Sequence, residues 1–375
     1  MMRQIESKPQ AANRLFYMAV PPVVFEGVAR AIGGAELMRA HQPCWSRVII
    51  EKPFGRDRST SDRLARNLRK IFTANQIYRI DHYLGKEVIQ NLLVLRFANT
   101  MFEPVWRAKY ISALEIIWHE DIGVGNRGNY FDHYGIIRDV MQNHLLQMLA
   151  LTTMERPTRL DDPDSIRNAK VRLLRSVLPV RLKDITLGQY RGALFNGQKK
   201  LGYLEEKYIS QNSITPTYAS AQLYIDNPRW RGVAVRMEAG KGLGDRLAEI
   251  RVHFKPVPNI TQLPGGPGLP ANMLVLRVQP DEAVLLNIVN KVPGLKLNLA
   301  PTLLDLRYAE AFSEHPIPAA YECLLWEALE GDRSLFISEP ELAAAWDVFT
   351  PVLRTIERRA IKPMPYNFGS AGPNE

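Results

Sequence analysis

Arg79-Ile80-Asp81-His82-Tyr83-Leu84-Gly85-Lys86-Glu87 is the stretch on which the reading of this chain turns. A turn-forming run, Thr73-Ala74-Asn75-Gln76, precedes it, and an apolar-periodic segment from Val88 to Phe97 follows. That order sets ionisable and hydroxyl groups at the mouth of a helix. Asp81 and His82 are neighbours and point in different directions in either an extended or a helical backbone, so they serve different contacts. His82 and Lys86, four apart, share a helical face, as do Tyr83 and Lys86, three apart. An imidazole, a phenol and an ammonium on one face near a helix start make an anion receptor. A solvated first turn is the alternative for this segment taken alone.

The chain has 375 residues, 46% apolar and 23% charged. That is a globular composition, long enough for one large or two ordinary domains. Its 48 basic and 39 acidic residues give a net charge of +9, with a pI near 9.5. The balance favours anionic ligands, phosphates included. The basic residues are scattered and lack interleaved aromatics, so nucleic acid is not an expected partner. Cys44 and Cys323 show no metal spacing, so no metal is expected, and a reducing compartment is the default. No apolar run is long enough to span a bilayer, and Met1 to Lys8 hold no apolar signal core. The expected compartment is the cytoplasm, or the plastid if a transit peptide preceded Met1.

Arg14 to Val20 reads as a buried strand stopped by Pro21-Pro22, and Phe25 to Arg39 as a helix. Arg47 to Lys52 is a second apolar strand ended by Pro53. Thr60 to Phe72 is a second helix, with Ser59, Thr60 and Ser61 as N-cap candidates. Alternating apolar strands and helices imply a parallel sheet, with ligands beyond the carboxyl ends of its strands. Lys52, at one such end, is either paired with Glu51 or aimed at a ligand. After Ala98 come short strands at 113–118, 234–239, 246–254, 273–278, 283–289 and 303–308, separated by turns that include Pro264 to Gly268. They imply a large antiparallel sheet, so the fold class is α/β followed by α+β. Residues 319–330 and 339–356 read as helices, and the tail from Pro363 as turn.

Gly135 to Leu149 reads as an amphipathic helix with Ile137, Met141, His144 and Met148 on one stripe. His144 is then either a satisfied core histidine or a base tuned by burial and a carboxylate. Asp139 lies roughly 140° round an α-helix from it, at 3.6 residues per turn, and so is a poor partner. Asp81 is the candidate partner. Gly123-Val124-Gly125-Asn126-Arg127-Gly128 fits G-x-G-x-x-G, but six residues separate it from Gly135. It reads as a flexible loop carrying Glu120 toward the site and not as a dinucleotide loop.

With these residues assembled, the chain resembles the glucose-6-phosphate dehydrogenase family. The resemblance rests on Asn13 to Tyr17 with Pro21-Pro22, Glu51-Lys52-Pro53-Phe54-Gly55, Arg79 to Glu87, and Gly135 to Gln147. Arg277 to Pro280, Phe349-Thr350-Pro351, Tyr366 and Gly369 to Pro373 extend it, and Asn290 to Leu295 looks like plant and algal members.

The resemblance implies oxidation of glucose 6-phosphate at C1, with NADP⁺ as hydride acceptor and a 6-phosphogluconolactone as product. By motif, His144 is the base and Asp81 steadies its imidazolium. His82, Tyr83 and Lys86 hold the phosphate. Lys52 lies between sugar and nicotinamide, Glu120 and Asp139 hold sugar hydroxyls, and Lys241 and Arg246 line the sugar site. Pro21 and Pro22, with Lys52, touch the cofactor. The implied build is a Rossmann-like parallel sheet over residues 1–81, in part, then an α+β substrate and oligomerisation domain over 82–375. A homodimer or homotetramer through the antiparallel sheet is expected.

The chain departs from the family at several points. The family's glycine loop precedes the part matched by Asn13 to Tyr17, and no such residues stand here. The expectation is weak NADP⁺ binding and little turnover by this chain alone. Gly242-Leu243-Gly244-Asp245 is looser than the family pattern. Leu247, Leu285 and Asn287 replace residues that hold a second, structural NADP⁺ in animal enzymes. Two other readings stay open: a non-catalytic member that binds sugar phosphate or an active partner, and a different nicotinamide-dependent sugar oxidoreductase.

Overall fold

The computed structural model describes residues 12–38, 44–258, 263 and 268–373. The chain starts with β1 (Arg14–Met18), α1 (Phe25–Gly34), β2 (Ser46–Ile50), α2 (Arg58–Arg69) and β3 (Ile77–Arg79). The three strands form a parallel sheet in the order β1-β2-β3, with Met18 opposite Ile50 and Ile50 opposite Arg79. Val48, Ile49 and Ile50 are all fully buried, as expected of a strand covered on both faces. The register brings the carboxyl ends of all three strands to one edge. Pro21-Pro22, Lys52 and Asp81 follow those ends directly.

Next come α3 (Glu87–Phe97), β4 (Ile111–Glu120) and α4 (Gly128–Ile136), a π-helix over Ile137–Leu145, then α5 (Leu146–Thr153) and α6 (Pro163–Leu174). The remaining strands are β5 (Ile185–Arg191), β6 (Ala193–Phe195), β7 (Gln198–Lys200), β8 (Tyr218–Leu223), β9 (Ala234–Lys241), β10 (Leu247–Phe254), β11 (Met273–Gln279), β12 (Ala283–Lys291) and β13 (Leu299–Arg307). The chain closes with α7 (Tyr308–Ala311), α8 (Ala320–Glu330), α9 (Glu339–Arg359) and β14 (Met364–Asn367).

Nine strands make the second sheet, in the order β13-β12-β11-β10-β4-β9-β8-β5-β14. It is mixed and not purely antiparallel: β4 pairs β9, and β14 pairs β5, in parallel. The expected turn from Pro363 is thus an edge strand, where Pro365 costs no ladder bond on the solvent side. Strands β5 to β8 and helix α6 carry little apolar periodicity, and the sequence did not announce them. Helix α2 starts earlier than expected. Its N-cap is Asp57, whose carboxylate accepts from the Thr60 N–H at 2.8 Å, and Ser59, Thr60 and Ser61 lie inside the helix. Helix α1 ends at Gly34, and Arg39 and Pro264 to Pro267 lie outside the described residues.

Helices α5, α6 and α9 form the floor under the π-helix. Between them Lys170 and Glu341, both without exposed surface, pair at 2.9 Å, and Lys170 also donates to Gln147 Oε1 at 3.1 Å. Breaking such a pair leaves one desolvated charge alone. Lys170→Met is therefore expected to cost about 3–5 kcal/mol in chemical denaturation, and Lys170→Met with Glu341→Leu to recover most of that. A double variant no more stable than Lys170→Met would contradict this account.

Candidate active site

Asp81 lies two residues beyond β3 and caps a 3-10 turn over His82–Gly85. Its Oδ1 accepts the Tyr83 N–H at 3.0 Å. The same oxygen meets His144 Nδ1 at 2.5 Å. Both side chains are almost wholly buried. An ionised Asp81 fixes the neutral tautomer of His144 with its proton on Nδ1, leaving the Nε2 lone pair free. Lys52 Nζ lies 2.8 Å from that Nε2, and also donates to the Asp139 carbonyl at 2.8 Å and to Asp139 Oδ1 at 3.2 Å. Of the two readings of Lys52, pairing with Glu51 fails. Glu51 instead accepts from the Tyr17 hydroxyl.

The segment carrying Asp139 and His144 corrects two expectations. It is not amphipathic, because every residue from Val140 to Leu151 is buried. It is also a π-helix, in which i→i+5 bonding sets residues five apart roughly one turn apart. Asp139 and His144 therefore face the same way, and Lys52 bridges them; the 140° separation holds only for an α-helix. Gly135, at φ 68°, breaks the helix inside the last turn of α4, two residues before this wider helix begins.

The electrostatics follow from this packing. Burial alone would raise the Asp81 carboxyl, but His144, His82 and Lys52 outweigh it and hold it at about 2. Asp139 is likewise raised by burial and brought down to about 2, chiefly by Lys52, Arg127 and Lys241. Burial pushes His144 below the ordinary imidazole value; Lys52 adds to this, while Asp81 and Asp139 oppose it. His144 is thus a neutral base around pH 7. Asp81, His82 and His144 offer ligand atoms within 4.8 Å of one another. The Asp81 and Lys52 contacts already occupy both His144 nitrogens, so this is a hydrogen-bonded set and not an ion cradle.

His82, Tyr83 and Lys86 do not share a helical face, contrary to the sequence reading. Lys86 is the extended N-cap of α3, and a tight turn separates it from His82. A Cβ at Gly85 would stand 2.2 Å from the Ala320 carbonyl, so only glycine lets this turn pack on the start of α8. The three side chains nevertheless converge. Tyr83 stacks on His144 with 4.7 Å between ring centroids, His82 meets His144 edge-on at 4.6 Å, and Lys86 Nζ lies 5.5 Å from the Tyr83 ring. Burial first, then His144, Lys52 and Lys86, push His82 down to about 3, against Asp81, so it is a neutral ring. Arg246, exposed on the turn before β10, acts electrostatically on both Lys86 and Tyr83.

Glu120 and Lys241 sit opposite each other at the ends of β4 and β9 and form an ion pair. Lys241 Nζ lies 5.1 Å from the Trp118 ring. Pro21 and Pro22 are exposed beyond β1, on the sheet edge that also presents Lys52. Helix α4 does open on Gly128, which the spacing argument missed. Even so, the loop is no phosphate cradle. Its Val124 and Gly125 N–H groups are spent on Tyr190 Oη at 3.0 Å and Glu206 Oε2 at 3.1 Å. Sequence reasoning also missed three rings. Trp118 Nε1 donates to the Tyr83 hydroxyl at 2.6 Å, Tyr130 reaches Asp139 Oδ1 at 3.4 Å, and Tyr321 stacks on His82 at 5.8 Å. Only Tyr130, five residues before Gly135, lay near a motif.

Known proteins carry the same architecture. The description "Glucose-6-phosphate dehydrogenase, NAD binding domain" matches residues 1–91, and "Glucose-6-phosphate dehydrogenase, C-terminal domain" matches residues 93–375. The chain belongs to the glucose-6-phosphate dehydrogenase family. It is 50% identical over 367 residues to the chloroplastic glucose-6-phosphate 1-dehydrogenase of Solanum tuberosum, covering 97% of this chain and 63% of that protein. It is 44% identical over 365 residues to the cytoplasmic isoform of Solanum tuberosum, covering 97% of this chain and 69% of the relative. A solved glucose-6-phosphate dehydrogenase in complex with glucose 6-phosphate superposes with a TM-score of 0.90 at 40% identity, over 97% of this chain and 74% of that one. The chain thus spans a little under two thirds of the length of the chloroplastic relative. Among the described residues no helix is long and apolar enough to cross a membrane.

His144 reports on its neighbours directly. Lys52→Met removes a cation that lowers the His144 pKa and should raise it; Asp81→Asn removes an anion that raises it and should lower it. Imidazole NMR titration reads both signs. An unmoved His144 in Lys52→Met would mean that the ammonium does not sit at Nε2.

Proposed function

We propose that this chain oxidises glucose 6-phosphate at C1 to the 6-phosphogluconolactone, with NADP⁺ as the oxidant. The observation that carries the reading is the buried Asp81–His144 pair whose Nε2 faces Lys52. Nε2 takes the C1 hydroxyl proton as C1 loses its hydrogen with both electrons and the C1–O bond becomes a carbonyl. Asp81 stabilises the imidazolium without taking its proton. The Lys52 ammonium yields Nε2 to the hydroxyl and stays beside the oxygen as negative charge develops there. Lys86 and Arg246 supply the charge for the phosphate. The Tyr83 hydroxyl, already accepting from Trp118, has its own proton to donate, and the neutral His82 completes the set. Asp139 and the Glu120–Lys241 pair lie where sugar hydroxyls would meet them.

The residues at the carboxyl ends of β1 and β2 suit the nicotinamide end of NADP⁺. Pro21, Pro22 and Val23, the last 88% exposed, make an apolar shelf on the edge that also carries Lys52. These residues would hold the nicotinamide end, which would supply the hydride acceptor. We place the boundary between the two units at Asp81, as 1–81 and 82–375, because the last parallel strand ends just before it. The compartment we propose is the cytoplasm or the plastid, the two named for the potato relatives. Partition of a tagged chain to a third compartment would overturn that.

Two substitutions test the chemistry. His144→Asn should lower kcat by roughly 10²- to 10⁴-fold and move KM little. Lys86→Ala removes a charge-assisted contact worth about 1.5–3 kcal/mol, or roughly 10- to 150-fold in affinity for glucose 6-phosphate, with little effect on glucose. Near-normal kcat in His144→Asn would return His144 to the core. Binding of the sugar phosphate with no NADPH formed by the unaltered chain would support the non-catalytic reading instead.

We also propose a homodimer or homotetramer through the β13 end of the large sheet. Leu303, Leu304 and Leu306 are 45%, 51% and 41% exposed and occupy both faces of that edge strand. An apolar edge of this kind calls for a partner strand or sheet. Leu304→Asp should shift the sedimenting mass toward one chain. A monomeric unaltered protein would refute the proposal.

A further inference from the structure

We propose that His119 is a doubly hydrogen-bonded imidazolium clamp that ties the turn 242–246, and with it Arg246, to β4. His119 Nε2 lies 2.8 Å from Glu238 Oε1 and Nδ1 lies 2.8 Å from Asp245 Oδ1. A neutral imidazole has one N–H and can satisfy only one carboxylate; the imidazolium has two and satisfies both. The ring is largely buried, with 13% of its side chain exposed.

The groups that face it are few. From β9 come Glu238 and Arg236, which holds the other Glu238 oxygen; from the turn comes Asp245; from β8 comes Tyr218, beside Glu238. Across the strand on β10 stands Leu247, which carries no charge; the next side chain on that face, Glu249, is held by Arg251 and Arg277. Burial opposes the charged ring, but the two carboxylates overcome it and raise its pKa above the ordinary imidazole value.

The clamp matters because of what the turn carries. Its backbone is anchored as far as Gly244: the Gly242 N–H donates to the Ile122 carbonyl at 2.9 Å, Leu243 to Glu120 at 3.0 Å and Gly244 to Ser370 at 3.0 Å. The side-chain bond from His119 holds the next residue, Asp245, and Arg246 follows it. The two carboxylates differ in exposure, 4% for Glu238 against 57% for Asp245. When the ring loses one proton, the remaining N–H stays on the buried Glu238, which water cannot reach, and Asp245 goes to solvent. The raised pKa sets the sign. The clamp is closed below the His119 transition, which lies above the ordinary imidazole value, and opens as pH rises through it, loosening Asp245 and Arg246 between Gly244 and the β10 ladder that begins at Leu247.

This inference rests on the proposed reading of Arg246 as a sugar-phosphate residue, so its test has two arms. The first measures the Kd of the full chain for glucose 6-phosphate by calorimetry, from neutral to alkaline pH. Lys86 titrates on the alkaline side too, so the deciding comparison is between variants. His119→Gln, neutral and unable to reach both carboxylates, should weaken binding roughly three- to tenfold already at neutral pH, less than deletion of a charged contact outright. His119→Arg, charged at every pH used, should restore neutral-pH binding and remove the His119 part of the alkaline loss. Equal Kd for unaltered protein and His119→Gln, or the same alkaline loss in His119→Arg as in the unaltered protein, would overturn the link to Arg246. The second arm is ¹⁵N imidazole NMR, with His119→Gln giving the assignment, and it needs no sugar phosphate. Both ring nitrogens should be protonated at neutral pH; a singly protonated ring sinks the clamp itself. If the unaltered chain binds no glucose 6-phosphate, the functional reading fails, and the NMR arm still decides the clamp.

Discussion

The contact between the Asp81 carboxylate and His144 Nδ1 is the constraint that the rest of the site accommodates. Two ionisable groups this deeply buried are costly unless each is satisfied by the other. Asp81 meets that condition while doing two backbone jobs. It follows the last parallel strand by two residues and it caps the turn that leads to Lys86. Moving it would unseat the strand end, the turn and the base together. The parallel sheet and the buried helices are therefore coupled through one carboxylate, with the sheet's strand ends delivering Asp81 and Lys52 and the helices delivering His144 and Asp139.

The π-helix is the device that makes this delivery work. On an α-helix, Asp139 and His144 would diverge, and one ammonium could not touch both. The wider turn brings them to one side, and Lys52 then neutralises Asp139 while presenting a proton donor at Nε2. Such a turn has poorer backbone geometry than an α-helix. Here it is held by the burial of every residue but Arg138 and by helices α5, α6 and α9, themselves joined by the Lys170–Glu341 pair.

How much of this was legible follows from where the information sits. The parallel strands announce themselves because burial on both faces demands continuous apolar runs, and Arg47 to Ile50 shows one. The Asp81–His144 partnership could be read because the angular argument against Asp139 left Asp81 as the candidate. That argument reached the right partner for Nδ1 through a helix type that the segment does not adopt. Helical period is set by which backbone bonds form, and a run of wholly buried residues gives no polar stripe from which to infer it. Strands β5 to β8 were invisible for the opposite reason, being short and mixed in pattern. Tyr321 reaches His82 from far along the chain by packing of α8 on the Gly85 turn, a contact no local pattern encodes.

Charge placement completes the argument about orientation. The interior of the site carries one negative charge that no cation answers: Lys52 answers Asp139 and Lys241 answers Glu120, while the ionised Asp81 is hydrogen-bonded to His144, which like His82 is a neutral ring. Among the described residues Lys86 and Arg246 form no close ion pair, and Arg246 stands exposed on its turn. Burial lowers the Lys86 pKa, Glu282 opposes this and Arg246 reinforces it, so a bound anion would relieve two like charges held near each other. On the proposed reading, a dianionic phosphate would be drawn to this mouth and repelled from the Asp81 carboxylate deeper in. The other end of the same molecule would then be directed toward His144. A site negative within and cationic at its rim would thus set the direction of such a substrate before any hydroxyl contact is made.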